Sequence, residues 1–542
     1  MTSISALQSA MSPSNVPSAS AGSSRVMSGQ VQAQSAATPS QSTIVTLGAS
    51  KQNSAPEPTY SIPRIESTAA APLVWKVRPN DAVSGLMAGN FFSQSIGNRF
   101  KGIGSALLDM LKNGANGLTQ SVSQAPDETA EVAAPGTSKA PSPWAEQKLR
   151  IQTKSGIDVE IVLGSQDDRL QVQMQSSGDL SDAERIALGN LATGFQDAID
   201  GISAKPPVLN LAGLTQFDSK VLSSVDFHSS IALDGKTPQT LDFHADSTTR
   251  SVNLDGPVGT LNVSVDMRDS SIWGNAGQRT AAIDSYLKQF DKAASRGNAD
   301  KELAAMFKDA FTQMNSDYVA PTQQAKISLA DVDHAMLTGL ADFKASIKQV
   351  PESSNPKNLS ETDTFAYDVS QATQVGGPNQ FNRTIAQQQR SHLTASYHMS
   401  LIPDVPLILT TDNKSQNYYY KQIEDSAESS IGLAYTKGVL SEAFSMQSAK
   451  QSTRTSKYEM GELTADTTTP FEASQKRDIL ESLKPLMEDL KKNTPSALYN
   501  WQQKLEEVHG QILLQTDPAD LQDKGWSISN IQQPVSPQTD QE

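Results

Sequence analysis

The chain's six histidines are its side chains best suited to acid–base or metal chemistry, and four of them lie in predicted strands at two-residue periodicity with polar neighbours. In Asp226-Phe-His228 and Asp242-Phe-His244, an aspartate and an imidazole flank a phenylalanine. On a β-strand alternate side chains share a face, so each Asp would stand beside its His, with Phe227 and Phe243 on the opposite side. If the two tripeptides were cross-strand neighbours, Asp226, His228, Asp242 and His244 could converge on a divalent metal. In His392-Leu-Thr-Ala-Ser-Tyr-His398 both imidazoles again share one face, opposite Leu393, Ala395 and Tyr397. The competing account is that these are solvated faces of half-buried antiparallel strands, where apolar-in, polar-out alternation is the norm. That account needs no metal and is the one adopted here, so neither metal nor cofactor is expected. No Walker-type phosphate loop, strand-linked Gly-x-Gly-x-x-Gly, His-Glu-x-x-His or Gly-x-Ser-x-Gly occurs in the sequence, and no catalytic residue is assigned.

Three other stretches invite a functional reading. Between Val83 and Lys112, Phe92, Ile96, Phe100, Ile103, Leu107 and Leu111 fall on one helical stripe, interrupted by five glycines. Arg99, Lys101 and Lys112 against the single Asp109 would suit an interfacial membrane helix or a partner contact. Packing on the body of the protein is the preferred account. Tyr418-Tyr-Tyr420 would stack on sugars or bases only if all three rings shared a face, which consecutive strand residues do not. Lys450 to Lys457, with Arg454 between them, reads as a basic but solvated loop.

The elements that must position these residues follow from periodicity. Strands are predicted at 149–153, 159–163 and 170–174, followed by a helix opening on the capping box Ser181-Asp-Ala-Glu184. Its buried face is Leu188, Leu191, Phe195, Ala198 and Ile202. A meander then joins strands beginning at Val225, Leu241 and Leu261 through Asp234-Gly and Asp255-Gly turns. Helices are predicted over 279–295, 299–316 and 328–348, the last on Leu329, Val332, Met336, Leu340, Phe343 and Ile347. Strands resume at Phe365, His392 and Tyr418, and an αα-hairpin of helices 472–492 and 496–515 closes the chain. The expected class is α+β, with antiparallel meanders and segregated helices. Along the chain this gives a disordered Ser-rich tail (1–80), a glycine-containing amphipathic helix (81–115) and an Ala/Pro/acidic linker (116–146). An α+β domain (147–350), a β-rich region (351–470), the helical hairpin (471–516) and a short disordered tail (517–542) follow.

Composition narrows the function. The 542 residues carry a net charge of −15 and no Cys, which removes disulfides, thiolate metal sites and cysteine nucleophiles. Residues 1–80 hold five basic and two acidic side chains, hence +3, so the remainder carries −18. A body that acidic repels phosphate backbones, and nucleic acid is not an expected partner. No apolar run approaches the ~20 residues of a membrane-spanning helix. The first 50 residues contain 14 Ser, a single charge at Arg25 and no Asp or Glu. They lack the basic start, apolar run and cleavage site of a Sec signal. In composition this leader resembles the N-termini of substrates of type III or flagellar export systems. The resemblance implies export without a Sec signal and contact between the tail and an export machinery. The resulting expectation is a bacterial exported or surface-associated protein with a non-catalytic binding or structural role. The alternatives are a type III-like effector or hydrolase with a site assembled from distant residues, and a cytoplasmic scaffold with interaction tails.

Overall fold

The computed structural model describes residues 72–124, 145–166, 168–232, 237–318 and 327–522, all within a compact unit spanning Thr68–Glu542. The expectations for 1–71, for 523–542, for most of the 116–146 linker and for the Asp234-Gly turn fall outside these residues. Among the described residues, strands and helices build one α+β body around a fifteen-stranded antiparallel sheet.

The chain enters through β1 (Leu73–Trp75) and three short helices, α1 (Ala82–Asn90), α2 (Ile96–Arg99) and α3 (Ile103–Lys112). The 83–112 stripe is therefore not one helix. Gly102, at φ 72, sits in the left-handed region and resets the helical phase between α2 and α3. Phe91 is buried where the stripe called for Phe92, which is 52% exposed. Strands β2 (Gly117–Gln124), β3 (Ala145–Thr153), β4 (Asp158–Gln166) and β5 (Arg169–Ser176) follow. β2 occupies the start of the expected linker and pairs with both β1 and β5. The capping box at Ser181 and Glu184 forms as expected. Its helix is broken at Leu191 into α4 (Asp182–Asn190) and α5 (Ala192–Ile202), and all five expected core residues are buried. Ile103, Leu107 and Leu111 of α3 are buried, and α3 packs on α4 and α5. A Cβ on Gly104 would come within 2.8 Å of Ile199, so α3 depends on glycine for its close approach to α5.

After the single-turn α6 (Ala212–Thr215), the meander runs through β6 (Leu222–Ile231), β7 (Gln239–Asp246), β8 (Thr249–Asp255) and β9 (Gly259–Asp266). β8 is an extra strand, and Asp255-Gly turns it into β9. The helices α7 (Ala276–Gly297) and α8 (Lys301–Met314) match the two expected there. The third, over 328–348, does not form. A short helix, α9 (Asp331–Ala335), gives way to β10 (Asp342–Gln349). Phe343 and Ile347 satisfy a helical spacing, yet with Ala345 they equally satisfy a period of two. Pairing with neighbours on both sides decides for the strand.

Through β10 the meander continues without a break into five long strands. These are β11 (Thr364–Asn379), β12 (Asn382–Ser400), β13 (Tyr418–Thr436), β14 (Val439–Glu459) and β15 (Glu462–Asp478). The two expected β regions thus belong to one sheet. Lys450 to Lys457 is part of β14 rather than a loop, and 472–478 belongs to β15 rather than to a helix. The hairpin forms from α10 (Ile479–Leu490), capped by Asp478, and α11 (Pro495–Ile512), capped by Thr494. A final turn, α12 (Pro518–Gln522), lies inside the expected C-terminal tail and buries Leu521.

One sheet face carries the core. Odd-numbered residues 225–231 of β6, 239–245 of β7, 259–265 of β9 and 343–347 of β10 are buried, and α8 packs on β9 and β10. Tyr286 and Phe290 of α7 interlock edge-to-face with Phe311, Phe343 and Tyr367 at centroid distances of 5.0–5.8 Å. Where the C-terminal chain crosses the long strands, a buried polar row replaces apolar packing. Gln389 donates to Ile512 O at 3.0 Å and accepts from Leu514 N at 3.0 Å. Ser429 donates to Ile512 O, and Gln447 to Gln511 O at 2.7 Å. These bonds satisfy backbone groups of a segment that belongs to no strand.

Candidate functional site

The Asp/His tripeptides are cross-strand neighbours. In the β6–β7 register Asp226 lies opposite His244, and His228 opposite Asp242. The carboxylates accept directly from the rings facing them, His228 Nδ1 to Asp242 at 2.7 Å and His244 Nδ1 to Asp226 at 2.6 Å. Each ring is bonded to the carboxylate facing it, and His244 Nε2 also lies 3.5 Å from Asp246, so the four side chains do not point at a common centre. Among the described residues, no group of three or more His, Asp, Glu or Cys is placed to hold a metal ion. The four side chains floor a shallow, open depression of about 410 Å³, edged by Lys148 and Arg150 of β3. Phe227 and Phe243 point the other way and are buried. Exposed pairs of this kind contribute roughly 0–1 kcal/mol each.

His392 behaves similarly. Its Nε2 lies 2.6 Å from Glu424 on β13, and that hydrogen bond raises its pKa. His398 has the strand parity expected from the sequence, on the same face as His392, but its surroundings are opposite. Residues 351–363 fold back over this end of the sheet, and the His398 side chain is 1% exposed. Asp363 binds its Nδ1 at 2.6 Å and Glu361 its Nε2 at 3.2 Å. Burial pulls the pKa of His398 down, but hydrogen bonds to Asp363 and Glu361 outweigh this and hold it up at about 9. The ring is thus an imidazolium donating from both nitrogens. Glu361 also accepts from the Tyr418 hydroxyl at 2.7 Å. Burial would raise the pKa of Glu361, but its bonds to His398, Tyr418 and Tyr458 leave it lowered. Tyr418 stacks on Tyr458 at 4.7 Å, and Asn355 donates to the Tyr418 hydroxyl. Tyr418 and Tyr420 are buried on this covered face while Tyr419 takes the other, so the triplet divides as expected.

Two of the other ion pairs are better shielded from solvent. Arg383 and Asp333 form a buried pair at 2.7 Å. Tyr435 donates to the same carboxylate at 2.6 Å, and its ring lies 3.5 Å beneath the guanidinium. This group fastens α9 to β12 and β13. Arg296 of α7 forks onto Asp425 of β13 and also reaches Thr453. It lies beside an open hollow of about 630 Å³, lined in part by Tyr367, Asp425, Gln451 and Thr516. In each case the carboxylate is taken up by its guanidinium and by neighbouring donors. On β14, Arg454 is likewise taken up by Asp466 of β15.

The same end of the sheet that buries His398 presents a different surface to solvent. Leu401-Ile-Pro-Asp-Val-Pro-Leu-Ile-Leu409 leaves β12 without regular structure. Ile402 is 62% exposed, Val405 48% and Ile408 75%. Leu359, Met399, Met460 and Leu463 are exposed at the same end. Seven of the twenty exposed large hydrophobics of the described residues therefore gather here. Three chain segments are tied together beneath them. Lys357 bonds Asn413, Met460 N donates to Asn417 at 2.9 Å, and Gly461 N donates to Gln416 O at 2.9 Å. Sequence reasoning passed over this loop, although a run of six aliphatic residues, two prolines and one acid between two strands was the available signal.

No family model, no curated protein and no solved structure matches the chain. Among the described residues, no helix is long and apolar enough to cross a membrane.

Proposed function

We propose that this chain is an exported protein with a non-catalytic binding or structural role, whose working surface is the aliphatic end of the long-stranded half of the sheet. The observation that carries the reading is the grouping of Leu359, Met399, Ile402, Val405, Ile408, Met460 and Leu463 in solvent, on a base whose chain segments are tied together by hydrogen bonds. Patches of this size on soluble proteins mark interaction sites. The titratable clusters support the same reading, because each histidine–carboxylate pair is closed by its neighbours. The Ser-rich, acid-free composition of residues 1–50 is the support for export.

The test follows the chain in cells. The full-length protein should leave the cytosol and stay associated with the cell surface or with an assembly on it. Deleting residues 2–50 should retain the protein in the cytosol. Ile402→Ser/Val405→Ser/Ile408→Ser should be exported normally and then lost to the medium. A Δ2–50 protein that exits as well as full-length overturns the export reading. A triple variant that stays attached overturns the assignment of the working surface.

A further inference from the structure

We infer that the aliphatic end of the sheet is a self-association surface, and that its occupant is the same end of a second copy of this chain, related by a two-fold axis. The inference rests on the working surface proposed above and names its partner.

Area is the first argument. From their fractional exposures, the seven residues together leave on the order of 700 Å² in solvent, against the ~800 Å² per partner of a stable interface. A monomer's largest patch is ordinarily ~300–600 Å².

Charge is the second argument, and it discriminates between occupants. Asp404 sits inside the aliphatic loop, and Lys414 sits at its base; neither side chain forms a hydrogen bond or ion pair within the described residues. One acid and one base on the same patch are self-complementary. A two-fold axis can set each Asp404 against the Lys414 of the other copy, because an isologous interface pairs residue i with j and j with i. A bilayer fits less well. Inserting this loop would carry the Asp404 carboxylate into hydrocarbon, a desolvation that nothing in the loop offsets. The patch also lacks the Trp and the basic cluster that anchor interfacial segments.

Preorganisation is the third argument. Asp404 adopts φ 60, a left-handed conformation that Asp tolerates, and Val405 N closes the turn onto Ile402 O at 3.4 Å. Pro403 and Pro406 restrict the flanking backbone. The base from Thr410 to Asn417 is held by Ser415 and by the Asn355–Gln416 amide pair. The loop is held in its exposed form, so association orders little further chain.

Sedimentation velocity on the full-length chain over a concentration series tests the inference, with binding to zwitterionic phosphatidylcholine vesicles measured alongside. The expected result is a reversible monomer–dimer equilibrium and no vesicle binding. Ile402→Ser/Val405→Ser/Ile408→Ser should leave only monomer, with an unchanged far-ultraviolet circular dichroism spectrum. Asp404→Lys should weaken the dimer by at least tenfold, and adding Lys414→Asp should restore it. A monomer at every concentration, a dimer unaffected by the triple variant, or no rescue by the charge exchange would each overturn the inference. Vesicle binding lost in the triple variant would replace the second copy with a membrane. A strictly monomeric protein that still clings to cells through this end would sink the dimer and leave the binding role intact.

Discussion

His228 and His398 occupy equivalent stations in one sheet and lead different chemical lives. Both sit on strands, both have polar parity, and both bind a carboxylate within 2.7 Å. Around His228 the sheet face is open, so water screens the pair and either ion can be replaced cheaply. Around His398 the segment 351–363 excludes water. A ring charged there must be matched by Asp363 and Glu361, which must in turn be matched by Tyr418 and Tyr458. What separates a decorative ion pair from a structural one is cover, and cover comes from elsewhere in the chain.

The largest effect expected from this contrast is at the covered site. His398→Ala leaves two carboxylates under the segment without their cation and should cost about 3–5 kcal/mol of unfolding free energy in urea titration. An effect below ~1 kcal/mol would show the segment lifting away without cost. The pH dependence sharpens the same point. The pKa of His398 in the folded protein is about 9, above the ~6.5 of an unfolded imidazole. The folded state therefore binds the extra proton. Its contribution is complete below ~6.5 and disappears as pH rises through about 9. The difference in stability between the native protein and His398→Ala should shrink across that window. A constant difference between neutral and strongly alkaline pH would contradict the imidazolium assignment.

Next in size is Tyr418→Phe, which deprives buried Glu361 of one donor and should cost about 1–3 kcal/mol. Adding the same substitution to His398→Ala should cost less than it does alone, because the two residues share the Glu361 carboxylate. Additive losses would mean that the two act independently. The smallest effect belongs to the open face. His228→Ala and His244→Ala together should change stability by no more than about 1 kcal/mol, and less in high salt. A loss comparable to that of His398→Ala would erase the contrast between the two regions.

Much of the open region was legible in the sequence, because a period of two sets Asp226 beside His228 and Asp242 beside His244, each pair opposite a core-seeking phenylalanine. The register that makes them cross-strand partners came from the structure. The covered region was not legible. Its key residues, Asn355, Glu361 and Asp363, lie in a stretch with no periodicity, and nothing local says that it folds back onto β12 and β13. The helix expected over 328–348 failed for a related reason, since Phe343 and Ile347 fit both periods and only the flanking strands β9 and β11 arbitrate. Similarly, the stripe from Phe92 to Leu111 assumed one unbroken helix. Gly102 breaks it, and Phe91 rather than Phe92 is buried with Phe100 in the core.

The account's central claim is that copies of the chain meet through the aliphatic end, while the open His228 and His244 face of the sheet stays outside the contact. Hydrogen–deuterium exchange on the full-length protein, compared at dilute and concentrated extremes, tests this most directly. The account predicts that protection rises with concentration in 399–409 and 459–463, and that β6 and β7 around His228 and His244 exchange identically in both samples. Unchanged exchange in the 399–409 loop, or concentration-dependent protection centred on β6 and β7 instead, would contradict it.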